Sequence, residues 1–384
     1  MIRFFVASSV YPQHCRWFES QNANLSELPY ARIVQLFGAE GCGWGESWRS
    51  ALERTGQYQV FVSYYSWESA QKVWAREQGV RPQPETWMAD ILTAQIDAFK
   101  PEVLFINGWH LGASYVQALR LRFPGLQKVV GYDGIAHHNS ALFRGTDIVL
   151  APLKETAAFY EARGLIGHLF KRGFDDGILG LLEKRTPTIP ASFAGSVSIG
   201  EHQHNERLRL LHHVSRRCPL QLFLLMQPVS QLPRILASNI VHARVAGWRS
   251  LINDVNAYWA LSRARQAPVF GKQMYQTLAD SEVSLNCHID AAGVNAGNMR
   301  LFEATGVGSC LLTDWKSNLR DFFEPDREVV TFRSPDECVD KLKFLLQNSK
   351  QREAIARAGQ QRTLKDHNVR TEITRFAETL AHIL

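Results

Sequence analysis

Two hydrophobic patterns alternate along this chain. Short apolar runs bounded by turn residues read as buried strands. Between them apolar residues recur every three or four positions, the period of a helix laid on a sheet. In the first half this predicts strands at 2–7, 60–64, 103–107, 128–132 and 148–151, with helices at 44–54, 86–99, 114–122 and 154–163. Continuous apolar strands alternating with helices are the signature of a parallel sheet covered on both faces. The segment 183–190, EKRTPTIP, is polar and holds two prolines, which disfavours a helix or central strand through it, so a domain boundary is placed there. Beyond it the alternation restarts, with strands at 192–199, 221–226, 283–287 and 309–313 and helices at 205–217, 273–280, 299–305, 337–347 and 350–363. In the last stretch, 371–384, Ile373, Phe376, Ala377, Leu380 and Ile383 share one helical face that needs a surface to cover it. The expected architecture is α/β, with two Rossmann-like, doubly wound domains at 1–186 and 187–365 and a cleft between them.

Length supports two domains, because single cores usually stop growing at about 250–300 residues and this chain has 384. A hydrophobic share of 45% against 21% charged residues supplies enough apolar surface for two cores. Lys and Arg exceed Asp and Glu by 43 to 37, a net +6 that favours anionic partners such as phosphates. The basic groups, Arg207 with Arg209, Arg216 with Arg217, and Arg352 to Arg362, are short and separated, which argues against a nucleic-acid partner. The six cysteines form no C-x-x-C pair, so neither a zinc site nor a disulfide framework is indicated, and a reducing, cytoplasmic setting fits. His202, His204, His212 and His213 lack the spacing of a metal site. The N-terminus, MIRFFVASSVYPQ, reads as a first strand rather than a signal peptide, and no run approaches the ~18 apolar residues of a membrane span. Peripheral contact with a membrane surface stays open.

The segment from Asn298 to Asp314 carries the most chemistry. It reads as a helix beginning after a Gly-rich loop at 291–297, a turn at Gly306 and Gly308, and a buried strand ending in Thr313 and Asp314. Ligands of open α/β sheets bind outside the carboxyl ends of strands, and helix N-termini there favour phosphate. A nucleotide diphosphate suits that geometry. Asn298, Arg300, Phe302 and Glu303, followed by a small-residue turn and Thr313-Asp314, resemble the donor signature of glycosyltransferases related to the spore maturation protein CgeB. The similarity continues through Phe322, Phe323 and Glu324, the helix start at Ser334 to Glu337, and Ala358, Gly359, His367 and Arg370. Upstream, Phe193, Gly195, Ser196, His204, Arg207, Leu210 and Leu211 are similar to the first strand, loop and helix of that family's donor domain.

The resemblance implies a GT-B fold of the group 1 glycosyltransferase type, with residues 366–384 packing back on the first domain. It implies that Glu303 holds the ribose hydroxyls of the donor, a task a carboxylate performs by accepting from two adjacent hydroxyls. In the related E-x7-E motif a second glutamate would stand at Asn295, where this chain has an amide. Arg300 and then Arg207 are the diphosphate candidates, since a guanidinium engages phosphate oxygens in pairs. Gly195 and Ser196, after a strand, could bring backbone close to phosphate, or form a plain turn. Thr313 and Asp314 could equally cap a following helix.

In the first half, His110 follows one strand exit and His137 and His138 follow another. Histidines at such exits in related enzymes contact the donor sugar or act near the anomeric carbon, and a polar loop role is the alternative. Asp133 is the candidate general base for an inverting reaction. The aromatic stretches 40–48 and 64–67 offer either an acceptor platform or core. The expected activity is transfer of a sugar from a nucleotide sugar to a glycan, protein or small-molecule hydroxyl, with the Glu303 resemblance pointing to retention. Neither a cofactor nor a metal is expected, and no D-x-D triplet occurs. A sugar-nucleotide epimerase of the same shape and an inactive glycan- or partner-binding member are the alternatives.

Overall fold

A computed structural model of the chain describes residues 1–41, 44–108, 110–134, 139–199, 204–231 and 248–384. Through Leu169 the described elements are β1 (Ile2–Ser8), α1 (Pro12–Gln21), α2 (Tyr30–Ala39), α3 (Trp44–Arg54), β2 (Tyr58–Ser63), α4 (Glu68–Glu77), α5 (Trp87–Phe99), β3 (Val103–Asn107), α6 (Gly112–Arg122), β4 (Lys128–Tyr132), β5 (Ile148–Ala151), α7 (Lys154–Glu161) and β6 (Ile166–Leu169). Then follow β7 (Ile189–Val197), α8 (Asn205–Ser215), β8 (Leu220–Met226), α9 (Trp248–Ala264), α10 (Gly271–Ala279), β9 (Ser281–Asn286), α11 (Met299–Gly306), β10 (Cys310–Asp314) and β11 (Val330–Phe332). Three helices close the chain: α12 (Pro335–Gln347), α13 (Ser349–Asp366) and α14 (Val369–Ala381).

The chain separates into two compact units, Met1–Asp175 with Asn368–Leu384, and Asp176–His367. The division lies at 176 rather than 187. Residues 176–181 form a short 3-10 turn against α10, and the Glu183 N–H donates to Gln276 Oε1 at 2.8 Å, so this connecting stretch belongs to the second unit. The last helix belongs with the first unit.

The first unit holds a six-stranded sheet in the order β2-β1-β3-β4-β5-β6, every pairing parallel. Phe4, Phe5, Val6 and Ala7 of β1 are all fully buried, which explains the unbroken apolar run: both faces of the strand are covered. Trp48 of α3 is the centre of one face. Its ring lies 4.5 Å from Phe105, 5.6 Å from Phe4, 5.6 Å from Phe170 and 5.8 Å from Phe376. Through Phe376, together with buried Ile373, Ala377 and Leu380, α14 supplies the cover its sequence stripe demanded, and the Tyr58 hydroxyl donates to Ala377 O at 2.9 Å.

The second unit holds a five-stranded parallel sheet in the order β11-β10-β9-β7-β8. Its interior strand β7 begins inside the polar, proline-bearing segment. Pro190 is tolerated because Ile189 and Ala191 on either side form the register with β9, and because it stands at the strand's start. Several elements were not anticipated, namely α1, α2, α4, β6, α9 and β11. The α1 sequence PQHCRWFESQ buries only Cys15 and Phe18 and so shows little periodicity, and β6 and β11 are short edge strands.

Two outcomes follow for the first unit. Phe376→Ala should destabilise it by about 3–5 kcal/mol, the usual cost of emptying a large aromatic site, read from denaturant unfolding. His14 packs 4.9 Å from the Phe37 ring, and burial lowers its pKa from 6.5 to about 4. The unfolded chain therefore takes the proton first. Stability from neutral His14 is complete above about pH 6.5 and is lost as pH falls toward about 4. Chemical denaturation across that window should show a shallower acid loss for His14→Gln.

Candidate functional site

In the second unit the chain runs from β7 to β8 on one side and returns through β9, β10 and β11 on the other. The exits of β7 and β9 therefore flank the point where strand order reverses, the place where open α/β sheets take their ligands. Arg207, in the first turn of α8, is buried across this point. Its Nη1 donates to Ser196 O at 2.9 Å, and its Nε and Nη2 donate to Cys287 O at 3.0 and 2.6 Å. The guanidinium expected at a diphosphate is thus engaged with backbone carbonyls and ties the two strand exits together.

Gly195 and Ser196 are not in a loop. They continue the β7 ladder opposite Leu224 and Leu225, because the apolar pairing with β8 runs to Val197 and Met226. A Cβ on Gly195 would lie 3.2 Å from the Phe193 ring, so the glycine makes room for that side chain. Asp290, from the turn after β9, places its carboxylate at the start of α8, accepting from the Asn205 N–H at 2.9 Å and the Glu206 N–H at 3.3 Å. A carboxylate of the chain itself thus satisfies helix donors that have no intrahelical partner.

Between the exits of β9 and β10 runs a connected set of polar groups. Asn286 and Asn298 exchange amide hydrogen bonds of 2.7 and 3.3 Å, and Asn286 Nδ2 also donates to Thr313 Oγ1 at 2.9 Å. The Thr313 hydroxyl donates to Asp314 Oδ1 at 3.3 Å. The same oxygen accepts from the His288 N–H at 3.1 Å and lies 2.7 Å from His288 Nδ1. Lys316 Nζ stands 3.4 Å from Asp314 Oδ2 and donates to Gly293 O at 2.6 Å. Burial alone would raise the Asp314 pKa, but the hydrogen bonds from the His288 side chain and backbone and the nearby Lys316 charge outweigh it and hold the carboxyl below its usual range. Thr313 and Asp314 are therefore joints of this set.

At α11, Asn298 occupies the N-cap position, but its side chain is committed to Asn286, so the first N–H groups of the helix have no side-chain cap. Arg300 and Glu303 face each other one turn apart. Arg300 Nη1 lies 2.9 Å from Glu303 Oε2, with side chains only 14% and 13% exposed. The pair is close but poorly aligned: Nη1 is buried without a hydrogen-bond acceptor, while Nη2 donates to Met274 Sδ at 3.3 Å. Asn295 is exposed on the loop that precedes them.

In the first unit, His110 is exposed just beyond β3, its ring 6.1 Å from Tyr65. β1 and β3 flank that unit's own reversal of strand order. Gly108, at φ 122, passes so close to Tyr65 and Ser9 that a Cβ would sit 2.6 Å from Tyr65 Oη and 2.5 Å from Ser9 Oγ. Asp133 is fully buried and accepts from the Tyr160 hydroxyl at 2.8 Å, so it is enclosed by the fold rather than presented to an acceptor hydroxyl. His137 and His138 lie outside the described residues. The aromatic stretches are mainly core, since Trp48, Tyr64, Tyr65 and Trp67 are all buried.

Solved structures share the fold of this chain. The chain is similar to HepE of Anabaena in complex with UDP-glucose, at a TM-score of 0.58 and 11% identity, with 100% of each chain covered. It is also similar to the sucrose-phosphate synthase of Thermosynechococcus elongatus, at a TM-score of 0.56 and 9% identity over 100% of this chain and 99% of that one. A third is a putative UDP-N-acetylglucosamine 2-epimerase from Listeria monocytogenes, with a TM-score of 0.52, 11% identity, and 99% and 95% covered. The chain has the GT-B fold. Residues 221–378 match the family model described as glycosyl transferase-like. No curated protein matches the sequence.

Within this GT-B chain, sequence reasoning missed Asp290 and His288. Both stand just past the end of a continuous apolar strand, where an abrupt return of polar residues is the signal that could have found them. Among the described residues no helix is long and apolar enough to cross a membrane.

Arg207→Met should lower the stability of the second unit by about 2–4 kcal/mol, because two buried carbonyls lose their donors. Arg207→Lys should recover only part, since an ammonium lacks the fork that spans both. Denaturant unfolding of the ligand-free protein reads this directly, and unchanged stability in both variants would refute the tie.

Proposed function

We propose that this GT-B protein is a glycosyltransferase of the CgeB-like kind that takes its sugar from a uridine diphosphate sugar. The observation that carries the reading is the start of α11. Helix N–H groups without a side-chain cap, a buried guanidinium N–H without an aligned acceptor, and a carboxylate one turn further in are gathered beside the reversal of strand order. A diphosphate at the helix start would accept from those N–H groups and from Arg300, and Glu303 would turn to the two ribose hydroxyls. The uridine assignment is supported by the UDP-glucose complex of HepE, which has the same fold. Asn295 replaces a second carboxylate with an amide on the loop before the helix, and there it would meet the donor sugar with donors as well as an acceptor.

In the reaction the acceptor hydroxyl oxygen bonds to the anomeric carbon, the bond from that carbon to the diphosphate oxygen breaks, and the hydroxyl proton passes to the departing phosphate. Positive charge from Arg300 and the dipole of α11 stabilise the leaving diphosphate without a fixed metal or cofactor. The enclosure of Asp133 favours retention, because the carboxylate expected to deprotonate an acceptor for inversion is already bonded inside the first unit. The acceptor is a hydroxyl of a glycan, protein or small molecule, and the setting is cytoplasmic.

A thermal-shift series with UDP, GDP, CMP, TDP and ADP tests the reading. UDP at one hundred times its dissociation constant should stabilise the protein by about 2.7 kcal/mol. Glu303→Gln should largely abolish that shift, and its ligand-free melting temperature is read alongside because the change leaves the Arg300 guanidinium without its carboxylate. No shift with any nucleotide would overturn the donor assignment.

A further inference from the structure

We propose that His288 is a positioning residue that fixes the donor loop through its Nε2 atom. The inference rests on the donor reading only for what the loop binds, because the geometry is made by the chain's own groups. His288 is buried at the exit of β9. The Gly297 N–H approaches His288 Nε2 at 3.3 Å, and a backbone N–H can only donate, so Nε2 is the bare nitrogen and the proton sits on Nδ1, directed at Asp314 Oδ1 2.7 Å away. Both ring nitrogens are thus engaged within the protein, and the imidazole acts by holding backbone rather than by touching a ligand.

The backbone it holds matters. Gly297 has φ 142, a conformation that side-chain-bearing residues rarely adopt, and it immediately precedes Asn298 at the head of α11. The loop from His288 to Gly297 has other attachments to the segment after β10. Lys316 Nζ donates to Gly293 O, the Ser317 N–H donates to Val294 O at 2.9 Å, and Asn318 Oδ1 accepts from the Ala296 N–H at 2.6 Å. His288 holds the last residue of the loop from the β9 side, next to the Asn286–Asn298 pair that ties the N-cap itself to β9. Fixing that joint in advance removes an ordering cost that a bound diphosphate would otherwise carry.

Two side chains separate the roles of the two ring nitrogens. A Gln carboxamide reaches about as far as Nε2 and can accept from Gly297, whereas Asn reaches only as far as Nδ1 and can donate to Asp314. His288→Gln, His288→Asn and His288→Leu would be compared by amide hydrogen exchange over 289–298 in the ligand-free protein and by UDP-glucose affinity in calorimetry. The Gln variant should stay within about twofold of wild type in both. The Asn and Leu variants should exchange about fivefold faster and bind correspondingly more weakly, the effect of losing one ordinary hydrogen bond. If Leu fails to fold, the Gln and Asn pair still decides.

Recovery by Gln but not by Asn is a readout that simple packing would not move, since both variants remove the ring and differ only in which ring nitrogen they replace. Equal exchange in all variants, or an Asn variant that behaves like wild type while Gln does not, would overturn the assignment. If wild type binds no UDP-glucose, the donor reading fails, and the exchange pattern still decides the role of His288.

Discussion

The second unit depends on one guanidinium. Arg207 comes from α8 yet spans the carbonyls at the ends of β7 and β9, the two strands that part company at the reversal of strand order. Parallel strands leave their last carbonyls unpaired where the neighbouring chain turns away, and a buried planar cation with five donors is well suited to satisfy two of them at once. With those exits fixed, Asp290 can reach the head of α8 and His288 can reach the exit of β10. The loop between them then delivers α11 in one orientation. The polar groups at these exits serve the frame, whereas Arg300 and Glu303 meet each other across the first turn of α11.

Much of the fold was legible because parallel strands covered on both faces must be apolar throughout, and β1, β3, β4 and β5 all read as such runs. Segments whose burial is slight or one-sided were not legible. α1 buries two residues of ten, and β6 and β11 pair along one edge only. Pro190 misled for a related reason. A proline excludes a ladder donor at one position only, and β7 begins by pairing through the residues on either side of it.

The candidate site was legible where spacing carries geometry. Arg300 and Glu303 lie three apart on a helix, so their proximity follows from the helical repeat. Arg207, Asp133 and Thr313 were read as chemistry from residue type, and the structure shows each engaged inside the fold. Which polar residue turns inward is decided by partners far away in sequence. Asp133 meets Tyr160, and Arg207 meets Cys287 eighty residues on.

The placement of α14 bears on the order of assembly. The first unit lacks its cover over Trp48 and Tyr58 until residues 369–381 have been made, although its sheet is translated first. The second unit is complete once His367 has emerged. On the ribosome the later-made unit can therefore close its core before the earlier one, which must wait with a large aromatic surface uncovered. That interval exposes the nascent first half to chaperones, and a stop codon a few residues before α14 would damage the part of the protein farthest from it in sequence.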